Sequence, residues 1–155
     1  MDDATDHRCG DGIASVSIEF PLEVEDDWPP VSLECMPFRP VLGGYALLVP
    51  PLFVKGLSVG DVLDIELDDQ RASAWRHRSR SGNTTMWMLR LHATDALDGV
   101  LDRLRELGCH TAQLAAYEAY AVDIPASIPL TTVDELLAEL DPDAVAVAFP
   151  SLRHE

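Results

Sequence analysis

The spacing of apolar residues along the chain changes near residue 94, from strand-like to helix-like. Before that point apolar residues occupy alternate positions, as where Ser17 and Glu19 separate Val16, Ile18 and Phe20. Such alternation predicts half-buried strands. We therefore predict strands at residues 15–22, 31–38, 45–49, 62–68, 72–80 and 84–92.

Prolines and turn residues place further limits on these strands. Pro37 and Pro40 fall in the second strand, and because proline cannot donate to a ladder they predict an edge or bulged strand. Asp69 and Gln70 predict a tight turn between the fourth and fifth strands. Residues 81–83, Ser-Gly-Asn, predict a hairpin turn, because Gly and Asn tolerate positive φ. The sixth strand is apolar on both faces, which is typical of a central, covered strand.

Helical spacing then begins at Thr94 or Asp95, either of which is a candidate N-cap. Gly108 provides a candidate C-terminal cap. The apolar stripe between these ends consists of Leu97, Val100, Leu101, Leu104 and Leu107. This pattern predicts an amphipathic helix that buries the stripe in a core.

A second helix is predicted around a capping box formed by Thr132 and Glu135, with residues 141–143 ending it. Strands are predicted at residues 111–116, 119–124 and 144–149. From Thr84 onward the predicted order is therefore β-α-β-β-α-β. That order is ferredoxin-like, with both helices on one face of an antiparallel sheet.

These elements predict an α+β fold. A small antiparallel sheet or partial barrel at residues 13–83 is followed by the ferredoxin-like βαββαβ unit at residues 84–150. We expect the two parts to be fused into one compact domain, and residues 1–12 to be a disordered lead.

Charge narrows the possible partners. The chain of 155 residues has 27 acidic and 11 basic side chains, a net charge of −16. Nucleic acid and anionic membranes both require a cationic face, so neither is expected as a partner. A basic protein is the expected partner. The N-terminus lacks the features of a secretion signal, and no apolar run approaches the roughly 20 residues of a membrane helix, which predicts a cytoplasmic protein.

Known catalytic motifs are missing from the sequence. It has no phosphate loop, dinucleotide fingerprint, zincin motif or hydrolase elbow, so no cofactor is predicted and enzymatic activity is left open. His77 and His92 are not beside a nucleophile signature. Three widely spaced cysteines, Cys9, Cys35 and Cys109, argue against a disulfide framework and a zinc knuckle. Cys109 is expected to be a buried structural thiol.

One basic stretch interrupts the acidic chain. Residues 71–94 hold Arg71, Arg76, Arg78, Arg80 and Arg90 and no Asp or Glu. Two interpretations stay open. In the first, a hairpin pairs alternate arginines with the acids on the outward face of the fourth strand, Asp64, Glu66 and Asp68, whose inward face holds Leu63, Ile65 and Leu67. In the second, an anion site is formed by Arg76, Arg78, Arg80, Ser81, Asn83 and Thr84.

A succession of short motifs resembles a bacterial family, the domain of unknown function four-two-six-five. The residues that carry the resemblance are Trp28-Pro29-Pro30, Glu34, Tyr45, Val49-Pro50-Pro51-Leu52-Phe53, Gly60-Asp61-Val62, Ser81-Gly82-Asn83-Thr84-Thr85, Leu107-Gly108-Cys109 and Val122-Asp123-Ile124-Pro125. The similarity spans residues 16–149 and implies no activity. It implies only that the turns at residues 60–61 and 81–85 matter.

Two classes of function fit the sequence. The first is a non-catalytic, immunity-like or regulatory binding module whose acidic surface meets a basic protein. The second is a small-molecule or anion site, catalytic or sensing, between the two halves and beside the basic turn. A pocket lined by Arg76, Arg78 or Arg80 favours the second class, whereas pairing of those arginines favours the first.

Overall fold

The computed structural model describes residues 15–154, and the expected lead at residues 1–12 lies outside them. The strands are β1 (Val16–Pro21), β2 (Leu33–Val41), β3 (Gly44–Leu47), β4 (Val62–Asp68), β5 (Arg71–Ser79), β6 (Thr84–Arg90), β7 (His110–Leu114), β8 (Ala119–Ile124) and β9 (Val145–Ser151). The helices are α1 (Ala96–Leu107) and α2 (Leu130–Leu137), and Ala115–Tyr117 forms a 3-10 turn.

The first five strands close into a barrel in the order β1-β2-β3-β4-β5. Consecutive strands are antiparallel, and a parallel contact between Glu19 of β1 and Arg71 of β5 closes the ring. The Glu19 N–H donates to the Gln70 carbonyl at 2.7 Å at this seam. The barrel interior is packed with buried side chains such as Phe20, Phe38 and Leu63.

The second strand is not an edge strand, contrary to one of the two expectations. It lies between β1 and β3, but it pairs with β1 over residues 33–38 and with β3 over residues 38–41. Pro37 and Pro40 therefore each lie where β2 has one ladder rather than two. This arrangement tolerates two prolines inside a closed barrel, because a missing N–H need not interrupt a ladder on that side.

The other strands form a four-stranded antiparallel sheet in the order β7-β8-β6-β9. As predicted for a strand apolar on both faces, β6 is interior to the sheet. Met86 and Met88 lie in one core cluster with Leu101 of α1 and Val133 of α2. Both helices thus contribute to a single core against the sheet, and the fold is α+β with two sheets. Within residues 15–154, no helix is long and apolar enough to cross a membrane.

The helix ends match the sequence prediction for α1 and differ for α2. Asp95 is the N-cap residue of α1, and Gly108 ends the helix in a left-handed conformation with φ of 108°. In α2 the N-cap is Pro129, without a side-chain cap, so the predicted role of Thr132 and Glu135 is wrong. The extended Pro129 starts the helix earlier and leaves Thr132 in its first turn, where its N–H donates to the Pro129 carbonyl at 3.1 Å.

Two further expectations are corrected by the structure. The β4–β5 ladder shifts register between Glu66 and Leu67, and beyond this irregularity Leu67 is 41% exposed rather than directed inward. Cys35 is disulfide-bonded, which its spacing did not predict. Cys109 is a free, buried thiol, as expected.

We predict that Leu101→Ala lowers the free energy of unfolding by about 2–5 kcal/mol, because Leu101 is 2% exposed in the core of the second sheet. Urea denaturation measures the change. Leu107→Ala, at the exposed end of the same helix, is the control and is expected to cost less than about 0.5 kcal/mol. Equal losses in the two variants would show that the stripe is not the buried face.

Candidate functional site

The arginine row of β5 meets the acidic row of β4 at one position. In the observed register Asp64 lies opposite Arg76, and their side chains form an ion pair with an Nη2–Oδ2 distance of 3.1 Å. Glu66 instead faces Ala74, and Asp68 faces Arg71. With Asp64 opposite Arg76, Glu66 and Asp68 lie nearer the β4–β5 turn, and Arg78 and Arg80 lie beyond the acidic row. The predicted cross-strand pairing therefore holds for Arg76 and fails for Arg78 and Arg80.

Arg78 and Arg80 have exposed side chains, and no acid in residues 15–154 approaches either within ion-pair distance. Arg78 lies over the β2–β3 turn, where a Cβ added at Gly43 would be 3.2 Å from its Nη2. The polar residues predicted to join them are used within the fold. Ser81 Oγ donates to the Val59 carbonyl at 2.7 Å, and Asn83 Oδ1 accepts from the Ala126 N–H at 3.1 Å.

A buried polar junction lies beside this row and is centred on Asp61, whose side chain is fully buried. Its Oδ1 accepts from the Ser81 N–H at 2.8 Å and from Arg153 Nη1 at 3.0 Å. Its Oδ2 accepts from the Ser58 N–H at 3.0 Å, from His77 Nε2 at 2.9 Å and from Arg153 Nη2 at 2.9 Å. His77, considered from sequence as a general base, is thus a donor to a buried carboxylate.

Opposing effects set the pKa of Asp61. Burial raises it, but the hydrogen bonds from Arg153, from the Ser81 and Ser58 amides and from His77 outweigh burial, so the pKa lies below its usual value. The Arg153 guanidinium also donates to the carbonyls of Ser81 at 2.8 Å and Gly56 at 3.2 Å. Asp61 is therefore ionised at neutral pH and holds the chain segment after β9 against the barrel.

Further hydrogen bonds extend the junction into the second sheet. Ser58 Oγ and Ser151 Oγ are 2.7 Å apart, and Thr85 Oγ1 donates to the Leu57 carbonyl at 2.8 Å. Thr84 Oγ1 accepts from the backbone N–H groups of Arg153 and His154, and it is 2.7 Å from His154 Nδ1. These bonds join the turn at residues 57–61 to β6 and β9.

The barrel and the second sheet also leave a cleft between them, with a volume of about 640 Å³. Its floor is the face of the second sheet that lies opposite the helices. Trp87 stands in register with Ala148 of β9, and Leu89 with Ala146 and with Ala119 of β8. Because paired residues share a face of the sheet, small alanine side chains lie beside Trp87 and Leu89 and leave the floor open.

All three tryptophans of the chain, Trp28, Trp75 and Trp87, line this cleft. Trp28 is placed by a hairpin turn in which Asp26 and Asp27 both have positive φ, as a type I′ turn requires. Trp75 tilts against Phe20 with ring centroids 6.1 Å apart. Trp28 and Trp75 remain 45% and 36% exposed.

A buried carboxylate, that of Glu34, holds the loop at residues 52–54, which forms one wall of the cleft. Glu34 accepts backbone N–H groups from Leu52 at 2.5 Å, Phe53 at 2.9 Å and Val54 at 3.0 Å. Burial raises the pKa of Glu34, and these three bonds only partly lower it. The loop held in this way presents Phe53 edge-on to Trp28, with centroids 5.8 Å apart. Its preceding carbonyl, that of Pro51, accepts the Trp87 Nε1–H at 2.7 Å.

The cleft is apolar in its interior and charged at its edge. Glu23 and Glu25 line it, and Lys55, the one lysine in the chain, lines it too. Asp26 and Asp27 adjoin Glu25 in the same turn. No Ser, Thr, Cys or His from residues 15–154 is part of the lining. The arrangement suits binding of an apolar group that carries positive charge, through aromatic contact and the acidic rim.

Asp123 is a third buried carboxylate, after Asp61 and Glu34, and lies on β8 in register with Thr85 of β6. Burial raises its pKa, His110 at 3.5 Å lowers it in part, and its Oδ1 has no hydrogen-bond partner within the described residues. Burial, with the charge of Asp123, raises the pKa of Cys109 to about 11. The thiol is therefore protonated at neutral pH, which is typical of a structural cysteine. Among residues 15–154, no cluster of three or more His, Cys, Asp and Glu is arranged to hold a metal ion.

Comparison with protein families gives a match over most of the chain. The model of a domain of unknown function, DUF4265, matches residues 39–147. The chain belongs to the DUF4265 family. This confirms the family resemblance derived from the short motifs. The match includes Asp61, His77 and Ser81 of the junction, and it ends before Arg153.

A solved structure is similar to this DUF4265 protein over its length. It is a crystal structure of a hypothetical protein from Neisseria gonorrhoeae, with a TM-score of 0.66 and 16% sequence identity. The similarity covers 91% of this chain and 97% of the other. At this identity the comparison shows the fold alone. No curated protein matches the chain.

Sequence reasoning found parts of the junction in this DUF4265 protein and missed the cleft. The resemblance indicated the turns at residues 60–61 and 81–85, and the Asp61–Ser81 hydrogen bond joins them. Arg153 and His154 lie beyond the last predicted strand, where no local pattern in the sequence indicates a role for them. The tryptophans come from a loop and two strands, so no local spacing connects them; the signal available was that Trp75 alternates onto the face of β5 opposite the arginines.

We predict that Asp61→Asn costs about 3–5 kcal/mol of unfolding free energy at pH 7, because it leaves the largely buried Arg153 guanidinium without its anion. Asp61 has a lowered pKa when folded, so its stabilisation is complete above the unfolded value of about 3.9 and is lost as pH falls through the folded value. The gap between parent and variant should therefore narrow below about pH 4 in urea denaturation.

Asp64→Asn is the matched control for that measurement. Asp64 pairs with Arg76 at an exposed site, and exposed ion pairs contribute about 0–1 kcal/mol. A loss from Asp61→Asn as small as that from Asp64→Asn, or a gap that does not depend on pH, would contradict the account of the junction.

Proposed function

We propose that this protein is a non-catalytic binding module that captures a segment of a basic protein partner in the cleft between the barrel and the second sheet. The observation that carries the proposal is the convergence of Trp28, Trp75 and Trp87 on one open cleft with an acidic rim. An immunity-like or regulatory role, in a bacterial cytoplasm, is the setting that fits such a module.

The size and chemistry of the cleft support binding of a side-chain cluster rather than of a single ion. Ligand sites of about 300–1,000 Å³ commonly have apolar walls and few polar groups, and a cleft of about 640 Å³ falls in that range. Exposed tryptophans are enriched among residues that dominate binding energy at protein interfaces. The acidic rim, in a chain of net charge −16, favours Lys and Arg in the partner and raises the association rate.

The composition of the lining also supports a non-catalytic role. The ionisable groups there are Glu23, Glu25, Lys55 and Tyr120, and no hydroxyl or thiol nucleophile stands beside a histidine base in the described lining. The described His77 and Cys109 lie outside the cleft, in hydrogen-bonded or buried structural positions.

Selection of random displayed peptides on the purified protein tests the proposal. We expect enriched peptides to combine a large apolar side chain with Lys or Arg, and to shift the indole N–H signals of the tryptophans in NMR spectra. Ala148→Phe, which fills the floor beside Trp87, should weaken binding of those peptides at least about tenfold.

Ala116→Phe is the control variant, because it adds the same side chain at an exposed position of the 3-10 turn that does not line the cleft. It should leave binding unchanged. Peptides that bind the parent and Ala148→Phe equally, or that lack basic residues, would contradict the proposal.

An anion site at the basic turn, residues 76–85, is a second candidate, and it is favoured by the charges of Arg78 and Arg80, which have no acidic partner among residues 15–154. This candidate predicts that phosphate or a small dicarboxylate raises the melting temperature of the parent but not of Arg78→Ala. Arg103→Ala is the control. It removes an arginine of α1 that is paired with Glu139, and this variant should respond as the parent does. Equal responses in the parent and Arg78→Ala would reject the anion site.

The ferredoxin-like description of the second half is also a proposal. It is supported by the strand order β7-β8-β6-β9 and by the shared core of α1 and α2. Predicted absence of binding to nucleic acid and to anionic membranes is supported by the net charge of −16.

A further inference from the structure

We infer that the partner segment binds as an added strand along the free edge of β9, with alternate side chains entering the aromatic cleft. The inference rests on the proposed function and adds the mode of binding. Addition of a strand to an exposed sheet edge is a common way to bind an extended peptide, in which main-chain bonds give affinity and pockets for alternate side chains give specificity.

The outer edge of β9 has free backbone groups. In the sheet order β7-β8-β6-β9 the strand has β6 on one side and, in the described part of the chain, no strand on the other. Within residues 15–154, the Gly56 N–H reaches the Pro150 carbonyl at 3.1 Å, and no comparable bond from outside the ladder reaches residues 146–149. A stretch of this edge is therefore available for pairing.

Residues 145–149 of this edge lack the features that normally prevent pairing; the proline of β9, Pro150, lies beyond them. Exposed edge strands are usually protected by charged side chains, by proline or by a covering element. Residues 145–149 carry no charge, and Ala146, Val147 and Ala148 are exposed. The opposite edge strand, β7, carries His110 and Gln113, and the barrel is closed. Among the described strands, β9 thus offers the apolar, unprotected edge.

The edge and the cleft are continuous. Ala146 and Ala148 of β9 belong to the cleft floor, in register with Leu89 and Trp87 of β6. Successive side chains of a strand alternate between the two faces of a sheet. A strand paired with β9 therefore directs every second side chain into the cleft, beside the two alanines.

Charge selects a basic segment over a second copy of this chain. Asp141 and Asp143 precede β9, and Glu23 and Glu25 lie on the cleft rim. Two copies, each with a net charge of −16, repel one another. Lys and Arg in the added strand would meet these carboxylates instead.

The test uses an acetylated and amidated peptide of alternating Arg and Val with a central Trp. Two further versions carry backbone N-methyl groups, one on each alternate set of residues. In an antiparallel pair only one alternate set directs its N–H groups toward the sheet, so the two versions have equal stiffness but unequal ability to pair. Binding is followed by the tryptophan indole signals of the protein and by hydrogen exchange of the backbone amides at residues 146–149.

We expect the unmethylated peptide to bind and to protect amides within residues 146–149. One methylated version should bind at least about tenfold more weakly, and the other should retain binding. Equal binding by both versions without protection of β9, while the indole signals shift, would overturn strand addition and leave the proposed function standing. Absence of binding by the unmethylated peptide would overturn the inference. It would not decide the proposed function, which is tested by the selection of displayed peptides.

Binding of a second copy of this chain at the β9 edge would be detected by a separate measurement. Sedimentation at increasing protein concentration, without peptide, should show a monomer. A dimer accompanied by protection of residues 146–149 would assign the β9 edge to a second copy and overturn the inference.

Discussion

The arrangement of this molecule depends on a single buried charge, the carboxylate of Asp61. A buried carboxylate is tolerated only when hydrogen bonds and an opposite charge replace its hydration. Here these come from separate parts of the chain: the turn at Ser58, the barrel strand at His77, the turn at Ser81 and the C-terminal Arg153. The hydrogen bonds that replace the hydration of this carboxylate therefore fix the position of the barrel relative to the end of the second sheet.

Glu34 performs a related task on the cleft side. Both carboxylates are buried and both receive backbone N–H groups, but their pKa values move in opposite directions. Asp61 has a guanidinium partner, whereas the partners of Glu34 among residues 15–154 are backbone amides. The amides of residues 52–54 are thereby held around one side chain, and with them Phe53. The Asp61–Arg153 ion pair joins the barrel to the second sheet at one place. Elsewhere the two remain apart and leave the cleft, one wall of which is the loop held by Glu34.

The sequence predicts the elements well where burial is one-sided, and less well where two elements must be placed against one another. Alternation along β1 and the stripe of α1 follow from which residues must leave water, so both were predicted. The β4–β5 register does not follow from alternation, because each row keeps its period in any register. The observed register places Arg78 and Arg80 beyond the acidic row, without their expected partners. The start of α2 was misplaced because a capping-box pattern is local, whereas the extended Pro129 begins the helix without a side-chain cap.

The cleft could not be predicted from the sequence, because it depends on small side chains that come together only when the strands pair. Alanine is an ordinary strand residue at positions 119, 146 and 148, and only the pairing of β6 with β8 and β9 shows that these alanines lie beside Trp87 and Leu89. Larger side chains there would bring the floor up to the barrel and close the gap. Two of these alanines, Ala146 and Ala148, belong to β9 itself and add little bulk beside its outer edge. The open cleft and the outer edge of β9 therefore share Ala146 and Ala148, and the two form one continuous surface.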